Sequence, residues 1–200
     1  MTEVDGSVVE SDQHGGSPFR YADLFAGVGG FAAVLEALGG QQAYSVEIDA
    51  AAAAVYKRNW GHDPLGDVTK HSTDKVMRID PHDIIAGGFP CQPFSKSGAQ
   101  RGMDETRGTL FFNIMSAIKK HQPTLVVLEN VRNLVGPRHR HEWNLIIDLL
   151  REEGYKVSST PAIFSPHLIS ETHGGSPQIR ERVFITATKV PATMILDPEP

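Results

Sequence analysis

Residues 19–40 read FRYADLFAGVGGFAAVLEALGG, and this stretch gives the clearest indication of the fold. The apolar run Phe19–Phe25 predicts a strand, and a glycine-rich turn over residues 26–30 follows it directly. The next apolar residues recur at i, i+3, i+4 and i+7, as on one face of an amphipathic helix: Phe31, Val34, Leu35 and Leu38. A strand, a glycine turn and a helix are typical of the first unit of a nucleotide-binding α/β sheet.

The ligand that this unit would bind follows from the spacing of its glycines and from a later acid. The G-x-G-G spacing differs from the G-x-G-x-x-G fingerprint of dinucleotide sites, so it does not favour a pyrophosphate. A second predicted strand, Gln42–Val46, ends at Glu47, which is placed to bond ribose hydroxyls. An adenosine ligand without a diphosphate fits, such as S-adenosylmethionine, although Glu47 as a surface acid is the plain alternative. Asp67, after a predicted third strand, either binds an adenine amino group or caps a turn.

The single cysteine of the chain, Cys91, lies in the stretch Gly87–Gly98, which reads GGFPCQPFSKSG. Pro90 and Pro93 stiffen this loop and remove backbone donors, so it suits neither a helix nor a central strand. The apolar run His82–Ala86 precedes the loop and predicts a buried strand. An open α/β sheet carries its chemistry beyond the carboxyl ends of its strands, which makes Cys91 a candidate nucleophile. A buried, inert cysteine is equally compatible with these residues.

Charged side chains also occur where two other predicted strands end or begin. The run Leu125–Leu128 predicts a strand buried on both faces, and Glu129 follows it. A carboxylate there must be hydrogen-bonded or have a raised pKa, so Glu129 is a candidate proton donor. Arg180 and Arg182 precede the strand Val183–Ala187 and point to the same side of an extended segment. They would anchor a base or a phosphate, or pair with a nearby acid.

Three further helices complete the predicted elements: Ala50–Asn59 with Asp49 as its N-cap, Thr109–Lys120, and about Glu142–Glu153 with Leu145, Ile146 and Leu149 facing inward. His139 and His141 have no carboxylate or cysteine partner at the spacing of metal ligands, so we predict no metal site. Strands that alternate with helices indicate an α/β protein.

Composition restricts the class of protein. Two hundred residues, 40% of them hydrophobic and 22% charged, fit one globular domain. No apolar run approaches the roughly 18 residues that span a bilayer, and the N-terminus does not resemble a secretory signal. With one cysteine, this predicts a cytoplasmic protein without disulfides or a membrane partner. We expect a disordered tail over residues 1–18, one domain over 19–188 and a C-terminal tail over 189–200.

The distribution of charge leaves a nucleic-acid partner open. The net charge of −5 argues weakly against one. Residues 91–140, however, hold eight Lys or Arg against three Asp or Glu, a local charge of +5. A basic stretch around Cys91 is what a phosphate backbone requires, although an ordinary solvated face would have the same composition.

Five blocks, taken in order, resemble the DNA cytosine-5 methyltransferases. They are DLFAGVGG at residues 23–30, the acids Glu47 and Asp67, Pro90–Gln92, Glu129–Val131 and Gln178–Arg182; residues 107–110 resemble a further block. The resemblance covers residues 20–188, and the ordered combination is highly specific although each block alone is not. It implies a Rossmann-like, S-adenosylmethionine-dependent methyltransferase fold, with a mostly parallel central sheet and helices on both faces.

The resemblance also implies a role for each matching residue. The S-adenosylmethionine pocket would be lined by Phe25, Gly27, Gly29, Glu47, Ile48, Asp67, Val68 and Leu110. Cys91 would add to C6 of a cytosine flipped out of duplex DNA, because C5 is too weak a nucleophile until this attack makes it enamine-like. Glu129 would contact N3 and the amino group of the base. Arg182 would hold O2, with Arg180 supporting the same corner.

Two departures from the family pattern bear on activity. The link over Ser165–Pro177 is longer than usual, and the family's target-recognition domain and closing motifs are not found in these 200 residues. We therefore expect a chain that is inactive or weakly active unless complemented, for example by a second polypeptide, within a restriction-modification system. The rival interpretations are a truncated, non-catalytic cofactor-binding or interaction module and a transfer-RNA cytosine-5 methyltransferase.

Overall fold

A seven-stranded sheet forms the centre of the computed structural model, which describes residues 18–90 and 110–190. The strands are β1 Arg20–Leu24, β2 Gln41–Val46, β3 Ile84–Gly88, β4 Leu125–Val131, β5 Tyr155–Val157, β6 Ala162–Phe164 and β7 Arg182–Lys189. The helices are α1 Gly30–Ala37, α2 Ala50–Trp60, α3 Val68–His71, α4 Leu110–His121 and α5 Arg140–Glu152. The strand order is β2-β1-β3-β4-β7-β5, and β6 also pairs with β7.

The direction of the strands determines where their ends meet. Strands β2, β1, β3 and β4 are parallel neighbours, and β7 runs antiparallel to β4. Strands β5 and β6 are each antiparallel to β7, so only β7 opposes the common direction. The carboxyl ends of β1–β4 therefore lie at the same edge of the sheet as the first residue of β7. The expected, mostly parallel sheet is confirmed.

Two apolar clusters show that helices cover both faces of the sheet. On one face, Tyr21 of β1 and Ala86 of β3 pack with Leu35 of α1 and Tyr56 of α2. The alternate residues of these strands belong to a larger cluster with α4 and α5, which includes Ala22, Leu24, Ile85, Ile114, Ile118, Ile146 and Leu150. Successive strand residues point to opposite faces, so a strand with helices on both sides buries side chains on both of its faces. This arrangement was expected and is confirmed.

The apolar face predicted for α1 is wrong in part. Leu35 is buried, but Val34 and Leu38 are 58% and 68% exposed. The helix packs on the sheet through Ala32, which is fully buried, together with Leu35. Counting large apolar residues at helical spacing overlooks an alanine that permits close approach of helix and sheet.

Two other predictions need correction. Instead of a third strand before Asp67, Leu65 makes a single parallel bridge with Glu47, and the chain then turns into the short helix α3. In α5 the buried residues are Glu142, Trp143, Ile146, Ile147 and Leu150, whereas Leu145 and Leu149 are only half-buried at the margin of the core. The inward face is centred one position away from the predicted one on the helical wheel.

Local signals account for the ends of α2. The Asp49 carboxylate accepts a hydrogen bond from the Ala52 N–H at 2.8 Å, which confirms Asp49 as the N-cap. At the other end Gly61 has φ 77°, a conformation that glycine adopts without a Cβ clash.

Among the described residues, none of the helices combines the length and apolar character that crossing a bilayer requires.

Candidate active site

Every site residue predicted within the described ranges, apart from Arg180, lies at or just beyond the sheet edge where β1–β4 end and β7 begins, or lines the cavity there. The glycine turn follows β1, Glu47 follows β2, Glu129 lies near the end of β4, and Arg182 begins β7. Strand β3 ends at Gly88, so the chain leaves the sheet there towards Cys91. Cys91 itself lies outside the described residues, as do three of the eight basic residues counted around it: Lys96, Arg101 and Arg107.

The glycine turn has an unusual backbone. Phe25, Gly27 and Gly29 have φ angles of 59°, 55° and 97°, in the left-handed region. This conformation costs a bulky residue such as Phe25 about 1–3 kcal/mol, and such strain clusters at ligand sites. A Cβ on Gly27 would meet open space, whereas a Cβ on Gly29 would collide with the indole ring of Trp60. The turn thus has one open side and one packed side.

The Glu47 carboxylate is held by main-chain donors. Its Oε2 accepts a hydrogen bond from the Gly27 N–H at 2.8 Å, and its Oε1 accepts one from the Asp49 N–H at 2.8 Å. The first bond ties the end of β2 to the glycine turn after β1. Each carboxylate oxygen retains a free lone pair, so Glu47 remains able to accept hydrogen bonds from two ribose hydroxyls.

A cavity of about 270 Å³ opens beside this carboxylate, close to the lower end of the ~300–1,000 Å³ typical of small-molecule sites. The predicted cofactor residues that line it are Phe25, Glu47, Ile48, Asp67, Val68 and Leu110, and Pro90 completes one wall. Ile48, on one wall, is 71% exposed, so its side chain is accessible to a ligand. Apolar walls for a purine beside an acid for a ribose fit an adenosine ligand. Gly27 and Gly29 contribute through the turn and do not line the cavity.

Asp67 acts as a helix cap in this structure. It accepts hydrogen bonds from the backbone N–H and the hydroxyl of Thr69, at 3.0 and 2.7 Å. The Thr69 hydroxyl contributes most, and the Thr69 N–H next, to lowering the pKa of the Asp67 carboxyl, so this group is ionised at neutral pH. The capping alternative is therefore realised, and the cavity-lining position leaves a further acceptor available to a ligand.

Glu129 and Arg182 form an ion pair, with 2.6 Å between Oε1 and Nε. Glu129 is paired with Phe184 across the β4–β7 ladder and Arg182 with Val131, so the two are diagonal neighbours on one face. On the other side, a Cβ on Gly88 would lie 3.2 Å from Oε2 of Glu129, so glycine leaves room for the carboxylate. Pairing with Arg182 satisfies the requirement that a carboxylate in this position be hydrogen-bonded.

Arg180 differs from Arg182. Its side chain is exposed, and the residue is held through its backbone N–H, which donates to the Ser165 hydroxyl at 3.0 Å. Ser165 is buried and begins the long link, which contains only short 3-10 turns. The two arginines are therefore not equivalent: Arg182 contacts Glu129 and Arg180 faces outward.

Sequence reasoning missed three residues around the site. Asp23 is fully buried in β1 beneath the glycine turn, near the Ala32 N–H but without a hydrogen bond of normal geometry, and burial raises the pKa of its carboxyl to about 7. An aspartate inside an apolar strand is itself a detectable signal. Trp60 donates from Nε1 to the Val28 carbonyl at 3.1 Å, and Asn130 donates to the Phe89 carbonyl at 2.8 Å. Those contacts join distant segments, and no local pattern indicates them.

Two other features do not form part of this site. A larger cavity, about 720 Å³, lies between α4, α5 and residues 73–75, and none of the predicted site residues lines it. The described ranges contain no group of three or more His, Cys, Asp or Glu suited to a metal ion. His139 pairs with Glu142 at 3.7 Å.

Comparison with known proteins identifies the relatives of this chain. The profile of C-5 cytosine-specific DNA methylases matches residues 19–198. The type II methyltransferase M.AluI of Cellulosimicrobium cellulans is 61% identical over an alignment of 180 residues that covers 88% of this chain and 34% of that protein. M.HpaII of Haemophilus parainfluenzae is 39% identical over 177 residues, 88% of this chain and 48% of that protein.

Solved structures agree on the fold. A mutant of Spodoptera frugiperda DNMT2 superposes with a TM-score of 0.65 at 24% identity, covering 90% of this chain and 53% of that one. The Dnmt2 methyltransferase of S. pombe gives 0.65 at 21% identity, with 86% and 50% coverage. The chain thus spans about a third to a half of the length of the curated relatives named above.

Proposed function

The chain belongs to the family of C-5 cytosine-specific DNA methylases, and on this premise we propose that it transfers a methyl group from S-adenosylmethionine to C5 of cytosine in DNA. The observation that supports this most is that a candidate cofactor cavity and a candidate base-binding ion pair lie at the same edge of the sheet. A carboxylate bound to a glycine turn borders a cavity, and Pro90, the residue before Cys91, forms part of the same wall. The Glu129–Arg182 pair lies at the end of the adjacent strands.

We assign the cavity to the cofactor. Glu47 would accept hydrogen bonds from the ribose hydroxyls, and Phe25, Ile48, Val68 and Leu110 would pack on the adenine. Asp67 would accept from the adenine amino group with the lone pairs left by its capping bonds. The positive φ angles of Gly27 and Gly29 would bring the main chain close to the ligand. When bound, S-adenosylmethionine supplies an electrophilic methyl group.

The base would be handled by residues of three strand ends. The Cys91 thiolate would add to C6 and place electron density at C5, which then takes the methyl group from the sulfonium of S-adenosylmethionine. Loss of the C5 proton would expel the Cys91 thiolate and restore the C5–C6 double bond, a step that fluorine at C5 prevents. Glu129 would interact with N3 and the amino group of the base. A positioned acid of this kind accelerates a reaction by about 10²–10⁴-fold. Arg182 already bonds Glu129 and would also donate to O2. Arg180, being exposed, would contact the nucleic acid close to the base.

Duplex DNA is the proposed partner, as it is for the family, and the target base would then leave the stack at a cost of a few kcal/mol. The basic residues near Cys91 would contact phosphates. The chain spans 34% and 48% of the relatives compared above, so we propose that target selection depends on further polypeptide, in the same chain or in a second one. As with a type II methyltransferase, the natural setting would be a restriction-modification system. A reduced thiol and access to DNA suit the cytoplasm.

Methyl transfer from labelled cofactor tests this function. The chain is assayed alone and with a polypeptide that carries a target-recognition domain, against duplex DNA and transfer RNA, with Cys91→Ser as the control. We expect 5-methylcytosine in duplex DNA, with little or none in transfer RNA or with the serine variant. Label found in transfer RNA alone would assign the RNA reaction instead. Cofactor binding without transfer to either nucleic acid would make the chain a non-catalytic module.

A further inference from the structure

Asn130 connects the strand that carries Glu129 to the segment that leads to Cys91. The residue is 2% exposed. The amide Nδ2 donates to the Phe89 carbonyl at 2.8 Å, and Oδ1 accepts from the Val131 N–H at 2.8 Å. Both polar atoms of this buried amide therefore have a hydrogen-bond partner, as a buried polar group requires.

The place of this contact in the sheet is distinctive. The β3–β4 ladder ends at the pair Gly88 and Glu129, so Phe89 is the first residue beyond it. Pro90 follows and has no N–H with which the ladder could continue. The Asn130 side chain thus extends the connection between the two strands by one residue, while its backbone pairs with Val183 of β7. The bonded carbonyl lies two residues before Cys91 in the chain.

We propose that Asn130 is a positioning residue, which sets the place of the cysteine loop relative to the Glu129 carboxylate. The inference rests on the proposed function, since it gives both groups a common substrate. Attack at C6 and interaction at N3 occur on one rigid ring, so the two side chains must be held at a set separation. A misplacement of about 1 Å costs around 10²-fold in rate. Arg182 fixes the Glu129 carboxylate, and Asn130 fixes Phe89, from which the chain continues to Cys91.

A second buried asparagine provides a matched control. Asn113 of α4 is 9% exposed, and its Nδ2 donates to the backbone carbonyl of Ser72. As with Asn130, the bond joins a buried amide to a main-chain oxygen far away in sequence. The hydrogen bonds of Asn113 go to Ser72, and the residue lines the larger cavity instead of the proposed cofactor cavity. If Asn130 served stability alone, equivalent substitutions at the two positions would have equivalent effects.

The test compares Asn130→Leu with Asn113→Leu, using the chain complemented for target recognition. The readout is the rate of covalent adduct formation at Cys91 with duplex DNA that carries 5-fluorocytosine, measured on folded protein. We expect Asn130→Leu to slow trapping by about 10- to 100-fold. Affinity for S-adenosylhomocysteine should stay unchanged, and Asn113→Leu should trap at the wild-type rate. Urea unfolding of both variants corrects for stability.

A further variant gives a signature that loss of stability would not. In Asn130→Asp, a protonated carboxyl donates to the Phe89 carbonyl and an ionised one does not. Its trapping rate relative to wild type should therefore rise as pH falls. Trapping by both Asn130 variants at the wild-type rate, or equal loss in Asn113→Leu, overturns the positioning role. Failure of the wild-type protein to trap at Cys91 would count against the proposed function itself.

A second readout needs no nucleic acid. The rate at which iodoacetamide alkylates Cys91, the one cysteine, reports on the surroundings of its thiol. The alkylation rate should differ from wild type in Asn130→Leu and match wild type in Asn113→Leu. An unchanged rate in both variants would contradict the positioning role.

Discussion

Glu47 and Glu129 lie at the carboxyl ends of two strands of the same sheet, yet they are held in different ways. Glu47 accepts hydrogen bonds from two backbone N–H groups, of Gly27 and Asp49. Glu129 is held by a single side chain, the guanidinium of Arg182, at 2.6 Å. The main chain orients the acid of the cofactor side, and a side-chain pair orients the acid of the base side. Substitutions should therefore affect the two sides separately.

The two sides also differ in what surrounds them. Around Glu47 the turn contains three residues with positive φ, and the packing of Trp60 closes one side of it. Around Glu129 the neighbours are regular strand residues, and Gly88 leaves space for the carboxylate. Shape on the cofactor side is built into the backbone, whereas shape on the base side depends on which side chains are present.

Glu129→Gln should have the largest effect on the reaction. Glutamine keeps a hydrogen-bond acceptor for Arg182 but loses the charge and the transferable proton, so methyl transfer should fall by about 10²–10⁴-fold. Cofactor affinity should remain within about twofold, because Glu129 does not line the cavity. Single-turnover transfer and calorimetry with S-adenosylhomocysteine measure the two quantities. A parallel loss of cofactor affinity would contradict the separation of the two sides.

Asp23 makes the stability of the cofactor side depend on pH. Burial raises the pKa of its carboxyl from 3.8 to about 7, so the folded state binds the proton more tightly than the unfolded state. This contribution is fully present below pH 4 and is lost as pH rises to about 7, by about 4 kcal/mol. Asp23→Asn should remove this loss and raise the free energy of unfolding at pH 8, as measured in urea. The exposed Asp63→Asn is the control, and an equal gain there would refute the assignment.

Glu47→Gln should give the reverse of the Glu129 result. The neutral amide is a weaker acceptor for ribose hydroxyls and for the Gly27 N–H, so cofactor affinity should fall by about 1–3 kcal/mol. The transfer rate at saturating cofactor should change little. Calorimetry and single-turnover assays decide, and unchanged affinity would remove Glu47 from the cofactor site.

Trp60→Phe should have the smallest effect. Phenylalanine keeps the ring against the glycine turn but loses the donor to the Val28 carbonyl, which costs about 0.5–1.5 kcal/mol. We expect this cost to appear as a weaker affinity for S-adenosylhomocysteine. Trp143→Phe is the matched control, because that indole N–H also donates to a backbone carbonyl, of Ser159, away from the cavity. Equal weakening in both variants would show that the Val28 contact has no special role.

Much of this arrangement could be predicted from local sequence. The strand before the glycine turn, the cap at Asp49 and the strand before Glu129 each depend on neighbouring residues, and all were found. Since parallel strands end at a common edge of a sheet, a side chain that follows such a strand can be assigned to that edge from sequence, as was done for Cys91. The exposure of Val34 and Leu38 was not predictable, because it depends on how closely Ala32 lets α1 approach the sheet.

Contacts between distant segments lay beyond local reasoning. The alternatives for Arg182 included a nearby acid, but only the antiparallel register of β7 with β4 identifies that acid as Glu129. The same register leaves Arg180 outside the sheet, so the spacing of the two arginines suggested an equivalence that tertiary structure removes. The bonds made by Asn130 and Trp60 likewise depend on where strands and helices end in space.

Covalent trapping at Cys91 tests the central claim most directly, because it requires the cofactor side and the base side to act on one cytosine. The complemented chain is incubated with S-adenosylmethionine and duplex DNA that carries 5-fluorocytosine at the target, and the digested adduct is analysed by mass spectrometry. We predict a methylated nucleotide attached to the peptide that contains Cys91, formed only with cofactor and absent from Cys91→Ser. An adduct on another residue, or methyl transfer that proceeds undiminished in Cys91→Ser, would contradict the account.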